Sequence, residues 1–191
     1  MSRGALLALS AAALALGAAG CGSGAASSGG QDRAQVASAR PELDAAARQA
    51  DLRRALPLVG GPTAQALGYR VGLAPRRDPG LRALTDTGAR TITLYLARND
   101  TPHLTAHDLA HELGHAWDAE HMTSVMRRAY LARRGAAGAR WWPSARASDY
   151  AVGAGDFAEV FALCHAASPA FRSRLAPRPA DACAALPKGA R

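Results

Sequence analysis

His111-Glu112-Leu113-Gly114-His115 is the stretch on which the reading of this chain turns. It spells H-E-x-x-H, and the residues around it carry helical periodicity. On a helix, two histidines four residues apart share one face and can grip a single Zn²⁺ ion. Glu112 follows the first histidine, so it sits beside that ion and can take a proton from a zinc-bound water. The motif therefore predicts His111 and His115 as metal ligands and Glu112 as the general base of a hydrolase.

The helix has its own start signals. Leu104 and Leu109 are spaced as a hydrophobic staple around Thr105 as N-cap, with Asp108 at the third position, so the helix is expected over 106–120. Asp118 continues the stripe of His111 and His115 and is placed to orient a ligand histidine.

A catalytic zinc takes three protein ligands. Three residues compete for the third place. His121 lies ten residues after His111, a spacing known from metzincins. Asp118, however, stands where those proteins have a helix-breaking glycine. If the helix continues, His121 points roughly 100° from the zinc direction. Glu159 is preferred. It lies in Asp156-Phe157-Ala158-Glu159-Val160-Phe161, where Phe157, Val160, Phe161 and Cys164 form an apolar stripe and an alanine face opposes them. A carboxylate on a helix buried from both sides needs a cation, and a metal would supply one. Asp156 is the remaining candidate, although Asp156 and Glu159 also fit a D-x-x-E capping box. The helix that bears them is expected over 156–167.

Elsewhere, Pro41 suits the first position of a helix over 41–55. Strands are expected at 69–73 and, more clearly, at 91–96, where Thr-Ile-Thr-Leu-Tyr-Leu alternates and is rich in β-branched residues. A further helix is expected over 124–134. Trp141-Trp142-Pro143 reads as irregular chain that packs on the domain or edges a cleft. The pattern as a whole is α+β: a small sheet, the motif helix and a later ligand-bearing helix.

The chain has 191 residues and a formal net charge of +8, which allows one domain with appendages. The positive charge is scattered in short arginine pairs with no interleaved aromatic stripe, so no nucleic-acid partner is expected. Residues 1–20 read as a signal peptide: Arg3 precedes an apolar run too short to span a membrane. The run ends in Ala18-Ala19-Gly20-Cys21, similar to a lipobox, so Cys21 is expected to carry a lipid anchor. A Gly/Ser tether follows over 21–39 and the folded domain over 40–191. Export favours a disulfide between the two remaining cysteines, Cys164 and Cys183.

The blocks His111-Glu112-Leu113-Gly114-His115-Ala116-Trp117-Asp118 and Asp156-Phe157-Ala158-Glu159-Val160-Phe161, with Tyr150 between them, resemble the catalytic domain of anthrax lethal factor and the Pro-Pro endopeptidases. The resemblance covers 91–167. It implies a gluzincin fold, a zinc ion on His111 and His115, Glu112 as base, and Tyr150 as hydrogen-bond donor to the developing oxyanion. The sequence departs from the family at Gly155, which stands where the family has its ligand glutamate. Glu159 matches the second glutamate of the pattern, normally a neighbour of the ligand.

Taken together, the sequence predicts an exported, lipid-anchored, zincin-like metalloendopeptidase that acts on peptide or protein substrates as a monomer. The strand at 91–96 is expected at the sheet edge, where it would pair with an extended substrate. The alternative is a non-catalytic envelope lipoprotein that keeps a degenerate zincin fold for binding.

Overall fold

The alternating segment Thr91–Leu96 does form a strand, β3, with Ile92, Leu94 and Leu96 buried on one face. In the computed structural model, which describes residues 44–144 and 148–191, this strand is the centre of a three-stranded sheet. β1 (Arg70–Pro75) runs parallel to it, with Val71 opposite Ile92 and Leu73 opposite Leu94. β2 (Ala83–Asp86) runs antiparallel on its other side, with Thr85 opposite Ile92. The expected edge position of 91–96 is therefore corrected: β2 is the edge and β3 is covered on both sides. β2 carries no continuous apolar pattern. Its residues alternate between half-buried and exposed, and Leu84 faces solvent.

The chain enters through α1 (Ala45–Ala55), capped by Asp44, whose Oδ1 accepts the Ala47 N–H at 2.7 Å. The proposed start at Pro41, the leader, Cys21 and the tether all lie outside the described residues. The motif helix, α2 (Pro102–His121), starts four residues earlier than expected. Thr101, not Thr105, is the N-cap: its Oγ1 accepts the Leu104 N–H at 3.2 Å, and Pro102 takes the first helical position. Thr105 is buried inside the helix. α3 (Ser124–Arg133) follows as expected.

α4 (Gly153–His165) also begins ahead of expectation. No side chain caps it, so the Asp156–Glu159 capping box does not form. Instead, the Gly153 and Ala154 N–H groups donate to the carbonyls of Arg140 and Trp141 at 2.9 Å each, which satisfies the first orphan donors of the helix. α4 crosses α2 closely. A Cβ on Gly114 would lie 2.9 Å from Ala158 Cα and 3.1 Å from Phe161 Cβ, so glycine at this point of the motif permits the crossing. The few aromatic residues are concentrated here: Trp117, Tyr130, Trp141, Phe157 and Phe161 pack ring against ring in the core. The tail folds back through a short α5 (Ala182–Ala185), fastened by the expected Cys164–Cys183 disulfide. No helix among the described residues is long and apolar enough to cross a membrane.

Candidate metal centre

Helix geometry places His107, His111 and His115 in one row along α2, and Asp108 and Glu112 in the adjacent row. The α2 motif meets the short helical turn Asp149–Ala151 that leads into α4. His111 Nε2 lies 3.2 Å from His115 Nε2, and Asp149 Oδ2 lies 3.2 Å from the first and 3.3 Å from the second. Three donor atoms thus form a nearly equilateral triangle. Ligands about 2.0–2.1 Å from a tetrahedral zinc stand about 3.3 Å apart, so the spacing fits one face of such a tetrahedron. Two imidazoles and one carboxylate could hold a divalent cation here and leave a corner open.

The third donor is Asp149, a residue the sequence reading passed over, and not Glu159. Glu159 is fully buried, as the sequence reading required, but its Oε1 lies 2.8 Å from His111 Nδ1, on the far side of that ring. The same oxygen lies 3.1 Å from His107 Nε2, and Oε2 accepts the backbone N–H of Arg172. Glu159 therefore orients His111. With its Nδ1–H given to Glu159, the ring would present the Nε2 lone pair to a cation held between it, Asp149 and His115.

The other two candidates also lie elsewhere. Asp156 binds the Tyr130 hydroxyl at 2.7 Å, Arg134 Nε at 2.8 Å and Ser173 Oγ at 2.6 Å. His121 stacks on Trp117, with ring centroids 4.9 Å apart, and its Nδ1 reaches the Trp117 carbonyl at 3.1 Å. Asp118 does not orient a ligand histidine; it accepts from Arg127 Nε at 2.8 Å and Trp141 Nε1 at 2.9 Å.

Gly155 makes room for the turn that carries Asp149. A Cβ at this position would collide with the Asp149 carbonyl oxygen and lie 2.6 Å from Asp149 Oδ2. The turn carrying Asp149 thus occupies the space that a side chain at 155 would fill. A missing carboxylate at 155 was visible in the sequence. That Asp149 joins the two histidines depends on the fold of the turn.

Carboxylates dominate the electrostatics around the histidines. Burial opposes a charge on His111, but Asp149 and Glu159 outweigh it and raise its pKa well above the usual histidine value. Burial likewise works against the Asp149 and Glu159 carboxylates, but their histidine partners hold both well below the ordinary carboxylate range.

The open side of the triangle faces a cleft of about 530 Å³. Glu112 lines it, with Oε2 fixed 2.7 Å from Thr85 Oγ1 on β2. Tyr150 lines the opposite part: its ring meets His111 edge-on at 5.5 Å, and its hydroxyl oxygen accepts from Arg172 Nη1 at 3.2 Å. The tryptophan pair divides its work. Trp141 is buried in the core, whereas Trp142 is half exposed and edges the cleft. Besides Asp149, sequence reasoning missed Thr85, His107 and Arg172, whose roles arise from contacts between distant segments. Comparison of the chain with family models, curated proteins and solved structures finds no match.

Proposed function

We propose that this chain is a zinc-dependent metalloendopeptidase of zincin type, with the ion held by His111, His115 and Asp149. The observation that carries the reading is the triangle of donor atoms spaced 3.2–3.3 Å apart, beside Glu112, at the floor of a cleft bordered by an edge strand. Zinc on these donors supplies Lewis acidity to a peptide carbonyl and lowers the pKa of water. Glu112 takes a proton from the attacking water and delivers it to the departing amine. Thr85 holds Oε2 of Glu112, which leaves Oε1 as the atom for proton transfer. Arg172 donates to the Tyr150 oxygen, so the phenolic proton is free for the developing oxyanion. The outer edge of β2, and not of β3, offers backbone hydrogen bonds to an extended peptide. The leader and Cys21 put this activity outside the cytoplasm on a lipid anchor, with peptides or proteins as substrates.

Metal content by mass spectrometry tests the reading. The expected result is one zinc per chain, lost in Asp149→Ala and in His115→Ala. Glu112→Gln should keep the zinc and lower hydrolysis of a peptide mixture by about 10²–10⁴-fold. Unchanged hydrolysis in that variant removes Glu112 as the base. Zinc-loaded wild type that cleaves nothing leaves the binding lipoprotein as the better account.

A further inference from the structure

Asp108 lies one helical turn before Glu112 on α2 and is 2 % exposed. Two arginines from opposite directions hold it. Arg82, just before β2, donates Nε to Oδ2 at 2.8 Å; Arg172, in the tail, donates Nη1 to Oδ1 at 2.8 Å. Arg82 also reaches Asp100 Oδ1 at 3.2 Å, but Asp100 is already paired by both terminal nitrogens of Arg76, at 3.0 and 2.6 Å. Asp108 therefore serves two guanidiniums, and within this cluster Arg76, Arg82 and Arg172 outnumber Asp100 and Asp108 by one. Arg82, Asp108 and Arg172 line the same cleft as His111 and Glu112.

Neither guanidinium is used up. Nη1 of Arg82, and Nε and Nη2 of Arg172, have no partner among the described residues. Asp108 fixes both forks in place, so little side-chain freedom remains to be lost when an anion arrives. Arg172 is fixed a second time, because its backbone N–H donates to Glu159, the carboxylate that orients His111.

We propose that Arg172 and Arg82 form a carboxylate subsite of the cleft, so that the preferred peptide carries an acidic side chain or a free C-terminal carboxylate close to the bond cleaved. This rests on the metal-site reading above. Four residues of helix rise about 6 Å, and an extended peptide advances about 3.3 Å per residue. The bound carboxylate thus belongs to a residue one or two positions from the scissile carbonyl. Its charge is met by bidentate guanidinium contacts, which a neutral amide cannot replace.

Three synthetic ligands test the proposal by isothermal titration calorimetry on the zinc-loaded protein. All share a malonyl hydroxamate as metal-binding group. The first continues into a glutamic acid amide, the second into glutamine with a free C-terminus, the third into glutamine amide. At least one of the first two should bind about tenfold more tightly than the third, and which one does identifies the source of the carboxylate. Arg172→Gln, or independently Arg82→Gln, should bring the three within about twofold of one another. Equal affinities in the wild type overturn the subsite and leave the metal centre standing. If none of the three binds, the metal-site reading falls and takes the subsite with it. The comparison within the wild type needs no variant to fold.

Discussion

Asp156 and Glu159 lie three residues apart on α4 and are both fully buried, yet they belong to two different kinds of site. Asp156 is neutralised by a guanidinium, Arg134, with Tyr130 and Ser173 completing its hydrogen bonds. Glu159 is met by two imidazoles and a backbone N–H. Arginine keeps its charge at any pH a protein survives, so the Asp156 node is a fixed fastening between α3, α4 and the tail. Histidine can exchange a proton for a metal ion, so the Glu159 node orients a candidate ligand, His111. A buried carboxylate on a helix is thus ambiguous until its cation is known.

The comparison can be broken in order of effect. Asp156→Ala leaves Arg134 buried without its carboxylate partner and should destabilise the fold by about 3–5 kcal/mol in urea denaturation. The folded fraction should still hold one zinc. Loss of metal with little loss of stability would reverse the assignment of the two nodes. Gly155→Ala comes next. The new methyl must displace the Asp149 backbone, which should cost about 1–3 kcal/mol and weaken zinc binding along with stability. A variant that melts and binds zinc as the wild type does would disprove the close approach of that turn. Glu159→Gln keeps the shape and removes the charge, and zinc affinity should fall about 10–100-fold, read by chelator competition. If affinity is unchanged, Glu159 does not orient His111.

The smallest effect lies on the acid limb of the stability curve. Burial disfavours the charged form of Asp100, but the Ala97 N–H, Arg76 and Arg82 outweigh it and lower its pKa below the ordinary value. A depressed carboxylate adds stability that is fully present above the unfolded value, about pH 4, and that fades as the pH falls through the folded value. The stability gap between wild type and Asp100→Asn, followed by thermal melts, should hold constant above about pH 4 and narrow below it. A gap that widens in acid would contradict the sign.

Much of the scaffold was legible. β3 shows through its alternation, and α2 through H-E-x-x-H and its apolar spacing. The Cys164–Cys183 pairing followed from the expectation of export and from the count of remaining cysteines. β2 was missed because an edge strand with a solvent-facing leucine carries no core signature. The start of α2 was misplaced because a Thr-Pro pair and a Thr inside a staple both resemble caps, and only the Thr101 hydrogen bond separates them. The place of Glu159 was misjudged for a similar reason: its burial was inferred correctly, and the imidazoles that satisfy it were not.

The sequence by itself determined what lies within one helix. Backbone hydrogen bonding fixes the rise and turn, so the two histidines must share a face and Glu112 must stand in the row beside them. Which carboxylate joins them was decided by tertiary structure. Gly114 lets α4 press against α2, bare Gly155 lets the Asp149 turn fold over the helix, and Glu159 is thereby left behind His111. Distances between elements come from packing of segments far apart in the chain, and no local pattern encodes them.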